Sequence, residues 1–218
     1  MKMLDVPQSG SIGGVTSSHN RFGQYKRARS IPVNPRTVQQ GSVRARQTNS
    51  SQLWKTLTDA QRAAWGSVGS MITRTDALGQ SYNFNGFMAF CSVNNNREAT
   101  GLSPVTAAPV IADPGSLLTA TITLTSASLS IAFTATPLGA ATYLLLFASP
   151  QRSAGRAFEG DYRLIAVSAA AQATPFVALT SYTSKFGSPV TGNRIFFSLQ
   201  LSNTGFLGSP LNVSQIVA

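Results

Sequence analysis

The sequence predicts a mixed α and β protein with four segments: an extended arm over residues 1–34, a small helical unit with a short hairpin over 35–102, a Pro-rich linker over 103–116 and an antiparallel β-sandwich over 117–218. Three observations predict it. The first 34 residues mix Gly10, Gly13, Gly14, Gly23, Pro7 and Pro32 with Ser and Thr and carry no sustained helical or alternating apolar pattern. Residues 35–101 hold helix start and stop signals around apolar residues spaced three or four apart. From Leu117 onward, short runs alternate apolar and polar residues between turn signals.

Taken in order, Asn34-Pro35 is a helix start, because Asn accepts from first-turn amides and Pro lacks the proton that would go unbonded there. The helix is expected near residue 35, passing Val38 and Val43, with an interruption at Asn49 to Ser51 before Leu53, Trp54 and Leu57. Thr58-Asp59-Ala60-Gln61 has capping-box spacing, so a second helix should follow to about Val68, where Gly66 and Gly69 end it. It brings Trp65 within reach of the Leu53, Trp54 and Leu57 cluster as a core residue. Leu78-Gly79-Gln80, Tyr82 and Phe84 give a turn and short strand. A third helix then starts near Asn85, with Phe87, Phe90, Cys91 and Asn94 on one face and Gly101 as its stop. Pro104, Pro109 and Pro114 make the linker semi-stiff.

In the last segment, Ala120, Ile122 and Leu124 followed by Leu129, Ile131 and Phe133 predict a hairpin, and Tyr143 to Phe147, apolar on both faces, predicts a central strand. Further strands are expected at Tyr162 to Val167, Phe176 to Leu179, Ile195 to Leu201 and Leu211 to Val217. Seven short strands in about 100 residues predict the sandwich.

Composition narrows the classes. Apolar residues make up 43% of the chain and charged residues only 11%, against roughly 25% charged in an ordinary soluble domain. A core is therefore expected, with Ser, Thr, Asn and Gln solvating the surface. No apolar run reaches the ~18 residues of a membrane span, and Asp5 and Pro7 leave no apolar stretch for a secretory signal. The net charge is +10, yet residues 1–50 hold eight of the cations against Asp5 alone.

Candidate chemistry is sparse. His19, Cys91 and seven scattered carboxylates offer no metal cluster, so no metal or cofactor is expected. Glu159-Gly160-Asp161 is the one close acidic pair and reads as a solvated loop ahead of the Tyr162 strand. Cys91 falls on an apolar helix face and His19 in the arm, so no catalytic residues are assigned and the chain is expected not to be an enzyme. The remaining signal is the basic arm, where Arg21, Phe22, Tyr25, Lys26, Arg27, Arg29 and Ile31 interleave cations with apolar groups. Such a set suits a protein surface, with Arg forks on carboxylates and rings in pockets. It also suits phosphate contacts with base stacking, or solubility alone.

Two resemblances add expectations. Ile195-x-Phe197-x-Leu199-x-Leu201, the turn Asn203-Thr204-Gly205 and Ser209-Pro210 make residues 117–218 resemble a fibronectin type III or immunoglobulin-like module, although Ile195 stands where a tyrosine is common and this half has no Trp. Ser9-Gly10-Ser11-Ile12-Gly13-Gly14, Ser17 to Tyr25, Pro32-Val33-Asn34-Pro35, Leu57 to Trp65 and Thr75 to Gln80 resemble proteins encoded in the structural modules of tailed phages and prophages, over residues 9–100. That resemblance implies a virion component, a capsid decoration or cement protein whose arm clamps neighbouring subunits of the major capsid protein or other virion proteins. It also implies a homo-oligomer, a trimer on lattice axes being the guess. The alternatives are a tail, neck or head-fibre component with an outward binding sandwich, and a basic DNA-associated protein.

Overall fold

The computed structural model describes residues 8–21, 23–76, 78–111, 113–134 and 136–218. The chain divides into two compact units, residues 1–42 and 43–218.

In the first unit, β1 (Gly10–Ile12), β2 (Val15–Asn20) and β3 (Gly23–Ala28) form an antiparallel meander in the order β1-β2-β3. The expected extended arm thus folds back on itself twice. Ile12 pairs with Val15 across Gly13-Gly14, and Gly13 has φ +56°, the geometry that two-residue hairpin loops require and glycine supplies freely. The first helix, α1 (Val38–Lys55), begins later than Asn34-Pro35 suggests. Arg36 takes φ 47° and donates its amide to Asn34 Oδ1 at 3.2 Å, which turns the chain away from a helical path. Thr37 caps the helix instead: the Gln40 amide donates to Thr37 Oγ1 (3.2 Å) and the Thr37 amide to Gln40 Oε1 (3.3 Å). Nor is there an interruption at Asn49 to Ser51. Ser51 Oγ donates back to the Gln47 carbonyl (2.9 Å), so its hydroxyl is satisfied without leaving the helix.

α2 (Asp59–Met71) has the capping box at Thr58 and Gln61. It runs past Gly66 and Gly69 because those glycines are contact points. A Cβ on Gly69 would lie 2.6 Å from the Phe84 carbonyl oxygen, and one on Gly86 would lie 2.9 Å from the Gly66 nitrogen. The hairpin β4 (Thr73–Thr75) and β5 (Ser81–Asn83) turns around Asp76, whose Oδ1 accepts the Leu78 and Gln80 amides at 2.8 Å each. α3 (Gly86–Ala99) is capped by Asn85, which accepts the Met88 amide at 2.8 Å. It ends at Gly101 (φ 78°), with the Leu102 amide donating to the Arg97 carbonyl (2.8 Å) and the Gly101 amide to that of Glu98 (3.2 Å). Leu57, Trp65, Val68, Ala89, Phe90, Cys91 and Val93 fill this core. Trp65 is fully buried and Phe90 meets it edge-on at 5.1 Å. The Pro-rich stretch is tied down here: Trp65 Nε1 donates to the Thr106 carbonyl (2.8 Å), and the buried Asn94 amide exchanges two bonds with the backbone of Val105.

The larger core lies between two antiparallel sheets. One contains β6 (Thr119–Leu124), β7 (Leu129–Thr134) and β10 (Phe176–Val177) in the order β10-β7-β6. In the other, β8 (Thr142–Ala148) sits between β9 (Arg163–Val167) and the long β11 (Arg194–Asn203), whose far edge is shared by β12 (Phe206–Leu207) and β13 (Leu211–Ile216). Ile122, Leu124, Leu129 and Ile131 from the first sheet meet Leu144, Leu146, Phe197 and Leu199 from the second. The predicted strand to Leu179 stops at Val177. α4 (Leu179–Phe186) follows, because Leu179, Tyr182 and Phe186 share one helix face against the core, and the buried Tyr182 hydroxyl donates to the Ser149 carbonyl (3.2 Å).

The two cores are latched by the β11–β12 turn. Asn96 Nδ2 donates to the Gly205 carbonyl (2.9 Å), Phe206 packs against the helical core, and a Cβ on Gly205 would lie 2.6 Å from the Val93 oxygen. Among the described residues, no helix is long and apolar enough to cross a membrane.

The glycine contacts give a test of sign. Alanine is favoured over glycine inside a helix by roughly 0.5–1 kcal/mol, so Gly41→Ala, in open space on α1, should stabilise. Gly69→Ala should destabilise by about 1–2 kcal/mol, because the backbone it meets must shift. Denaturant unfolding of both variants checks this; a shift in the same direction for both contradicts the contact.

Candidate protein-interaction surface

The β2–β3 register decides where each expected arm residue points. Val15 pairs with Ala28, Thr16 with Arg27, Ser17 with Lys26 and Ser18 with Tyr25. Side chains alternate across a strand. Tyr25 and Arg27 therefore share one face with Thr16 and Ser18, and Ser11 joins them through a 2.8 Å hydroxyl contact to Thr16. Lys26 lies on the opposite face with Ile12, Val15 and Ser17, where these residues and Gln8 to Gly10 line a hollow of about 550 Å³. Gln24 Nε2 donates to the Gln8 carbonyl (2.7 Å) on that side.

The structure thus separates the expected set. Arg21 lies in the second turn, Phe22 lies outside the described residues, and Arg29 and Ile31 follow β3, with Ile31 75% exposed. None of the described residues from 8 to 42 is buried. A sheet of three strands normally needs an apolar face covered by something else to be stable in water. Among the described residues of this unit none is buried beneath the sheet, and residues 8–42 carry five cations without a carboxylate. What the arrangement can do is present main-chain edges, apolar side chains and positive charge to a partner.

The Arg29 amide donates to the Gly14 carbonyl at 2.8 Å. Because bonded pairs alternate along an antiparallel ladder, the amides of Arg27, Tyr25 and Gly23 also turn toward β2, while the main-chain groups of Gln24 and Ala28 turn to the open edge.

The other candidates lie elsewhere. His19 is in β2 and Cys91 is buried in α3, where Gln47 Nε2 donates to its sulfur at 3.5 Å. Burial pushes the Cys91 thiol above its ordinary value, which disfavours the thiolate, although the Gln47 bond opposes this in part. Among the described residues, no three of His, Cys, Asp and Glu gather as metal ligands.

Glu159 departs from the expected solvated loop. It is only 3% exposed, pairs with Arg152 and with Arg156 (3.5 Å), and accepts the amides of Gly160 (3.0 Å) and Asp161 (3.1 Å). Arg152 is fixed over the loop because its backbone is bonded in both directions to Arg194. Asp161 instead pairs with Arg163 at 3.3 Å, so the two carboxylates serve separate arginines. Sequence reasoning missed this because Arg152 is held over the loop by its backbone pairing with Arg194, 42 positions away, which no local pattern shows. By contrast, Gly13-Gly14 between two β-branched residues was a usable hairpin signal.

The Asp161 amide, with Arg152, holds the Glu159 carboxyl down to about 2 from 4.5. A lowered folded-state value stabilises the fold fully above about 4.5, and that contribution fades as pH falls toward 2. Glu159→Gln should therefore melt below wild type at pH 6, with the gap closing as pH falls toward 2. A pH-independent gap contradicts the ion-pair account.

The chain matches no protein-family model and no curated protein.

Proposed function

We propose that this chain is a non-enzymatic structural protein of a phage virion, a capsid decoration or cement protein whose N-terminal segment clamps neighbouring subunits of the major capsid protein. One observation carries the reading: residues 8–42 fold in part as a β-meander, have no buried residue among those described, and carry five cations and no carboxylate, joined to a body that has cores of its own. A surface of this kind fits a protein partner that covers its apolar groups and answers its charge. The likeness of residues 9–100 to phage structural proteins supports the same reading.

In this proposal residues 117–218 are a fibronectin type III or immunoglobulin-like module. The strand order supports it: the first, second and fifth strands share one sheet, and the third, sixth and last share the other, as A, B, E and C, F, G do in such modules. Tyr182, between the fifth and sixth strands, ties that corner to Ser149 at the end of the third. The protein would act in the virion as a cyclic oligomer, a trimer where it sits on a threefold lattice axis.

Exposed Ile31, Val15 and Tyr25 distinguish protein from nucleic acid, because apolar burial survives screening whereas phosphate contacts do not. Full-length protein is expected to stay on empty, DNA-free shells at ~0.5 M salt, and a chain lacking residues 1–34 is expected to lose attachment while its body stays folded. Tight, salt-sensitive binding to duplex DNA with none to shells would overturn the cement reading in favour of a DNA-associated protein.

A further inference from the structure

Building on the clamp reading, we propose that the open edge of β3 takes a fourth strand from an acidic, extended segment of the partner protein. All six residues of β3 are exposed and β2 is its only neighbour among the described strands, whereas β1 at the other edge is three residues long. The main-chain groups of Gln24 and Ala28 point to that edge, two repeats of the ladder apart, where an incoming strand would bond. An added strand would extend a sheet in which no described residue is buried, so the partner contributes cover to the meander.

Charge selects the occupant. Lys26 and Arg27 project to opposite faces of β3, with Arg21 and Arg29 flanking the strand. A second copy of the chain would set cations against cations along this edge, the arrangement that basic edge strands use to prevent self-pairing. An acidic extended segment places a carboxylate opposite Arg27 on its face of the strand, and opposite charges paired across strands are favourable. Nucleic acid answers the charge but cannot form the backbone ladder with Gln24 and Ala28.

The test uses the full-length protein and a blocked six-residue peptide, Thr-Val-Glu-Glu-Val-Thr, as probe. The acidic peptide is expected to slow hydrogen exchange at the Gln24 and Ala28 amides, and to bind roughly tenfold more tightly than the same peptide with Lys for Glu. Methylating the edge-facing amides of the peptide should abolish binding with the protein unchanged. On the protein side, Ala28→Pro removes an edge-facing donor without altering charge or the bonds to β2, and should also lose the peptide.

Equal binding of acidic and basic peptides, or of methylated and unmethylated ones, overturns the proposal. So does binding of duplex DNA with none of the acidic peptide. Protein that holds to empty shells but ignores the peptide overturns strand addition while sparing the clamp. Peptide binding without shell binding supports strand addition and removes the clamp.

Discussion

Burial of at least one face is what makes a β-sheet persist in water, and the two units of this chain meet that requirement differently. In residues 117–218, alternation does the work: Ile122, Leu124, Leu129 and Ile131 all turn inward from one sheet onto Leu144, Leu146, Phe197 and Leu199 of the other. A one-residue slip in any of these strands would send its apolar set to solvent, so the register is tightly specified. The meander over residues 10–28 has the same hydrogen-bonded ladder but no buried residue among those described, and its Ile12 remains 86% exposed. In the clamp proposal its cover comes from the partner.

The rest of the second unit depends on close backbone approach. Gly69 and Gly86 let α2 and α3 meet near their glycines, and Gly205 lets the β11–β12 turn reach Val93. The buried Asn94 and the half-buried Asn96 then use their side-chain amides to bind the backbone of Val105 and Gly205. Such buried amides are tolerated because their hydrogen-bonding groups find partners. Residues 105–108 are thereby held against the helical core, through Val105 and Ala108.

Legibility followed burial. The β6–β7 hairpin, the central strand β8, the capping box at Thr58 and the Asn85 cap were readable because each rests on a local signal that packing then reinforces. Tertiary context overrode the rest. Gly66 and Gly69 read as stops because the sequence does not show what lies against them. Leu179, Tyr182 and Phe186 fit a strand end as well as a short helix until the core fixes which face they share. Glu159 reads as solvated until Arg152 and Arg156 close over it. For the candidate site, the cations were countable, but only the register separated Lys26 from Tyr25 and Arg27, and only the ladder showed that Gln24 and Ala28 face an open edge.

The central claim is that the body is held by its own cores and the meander is not. Amide hydrogen exchange on the free full-length chain tests it most directly, because protection reports the free energy of local opening. The account predicts strong protection in β8 and β11 and weak protection at the β2-facing amides of Tyr25 and Arg27. Protection of Tyr25 and Arg27 equal to that of Leu146 and Leu199 in the absence of any partner would contradict it.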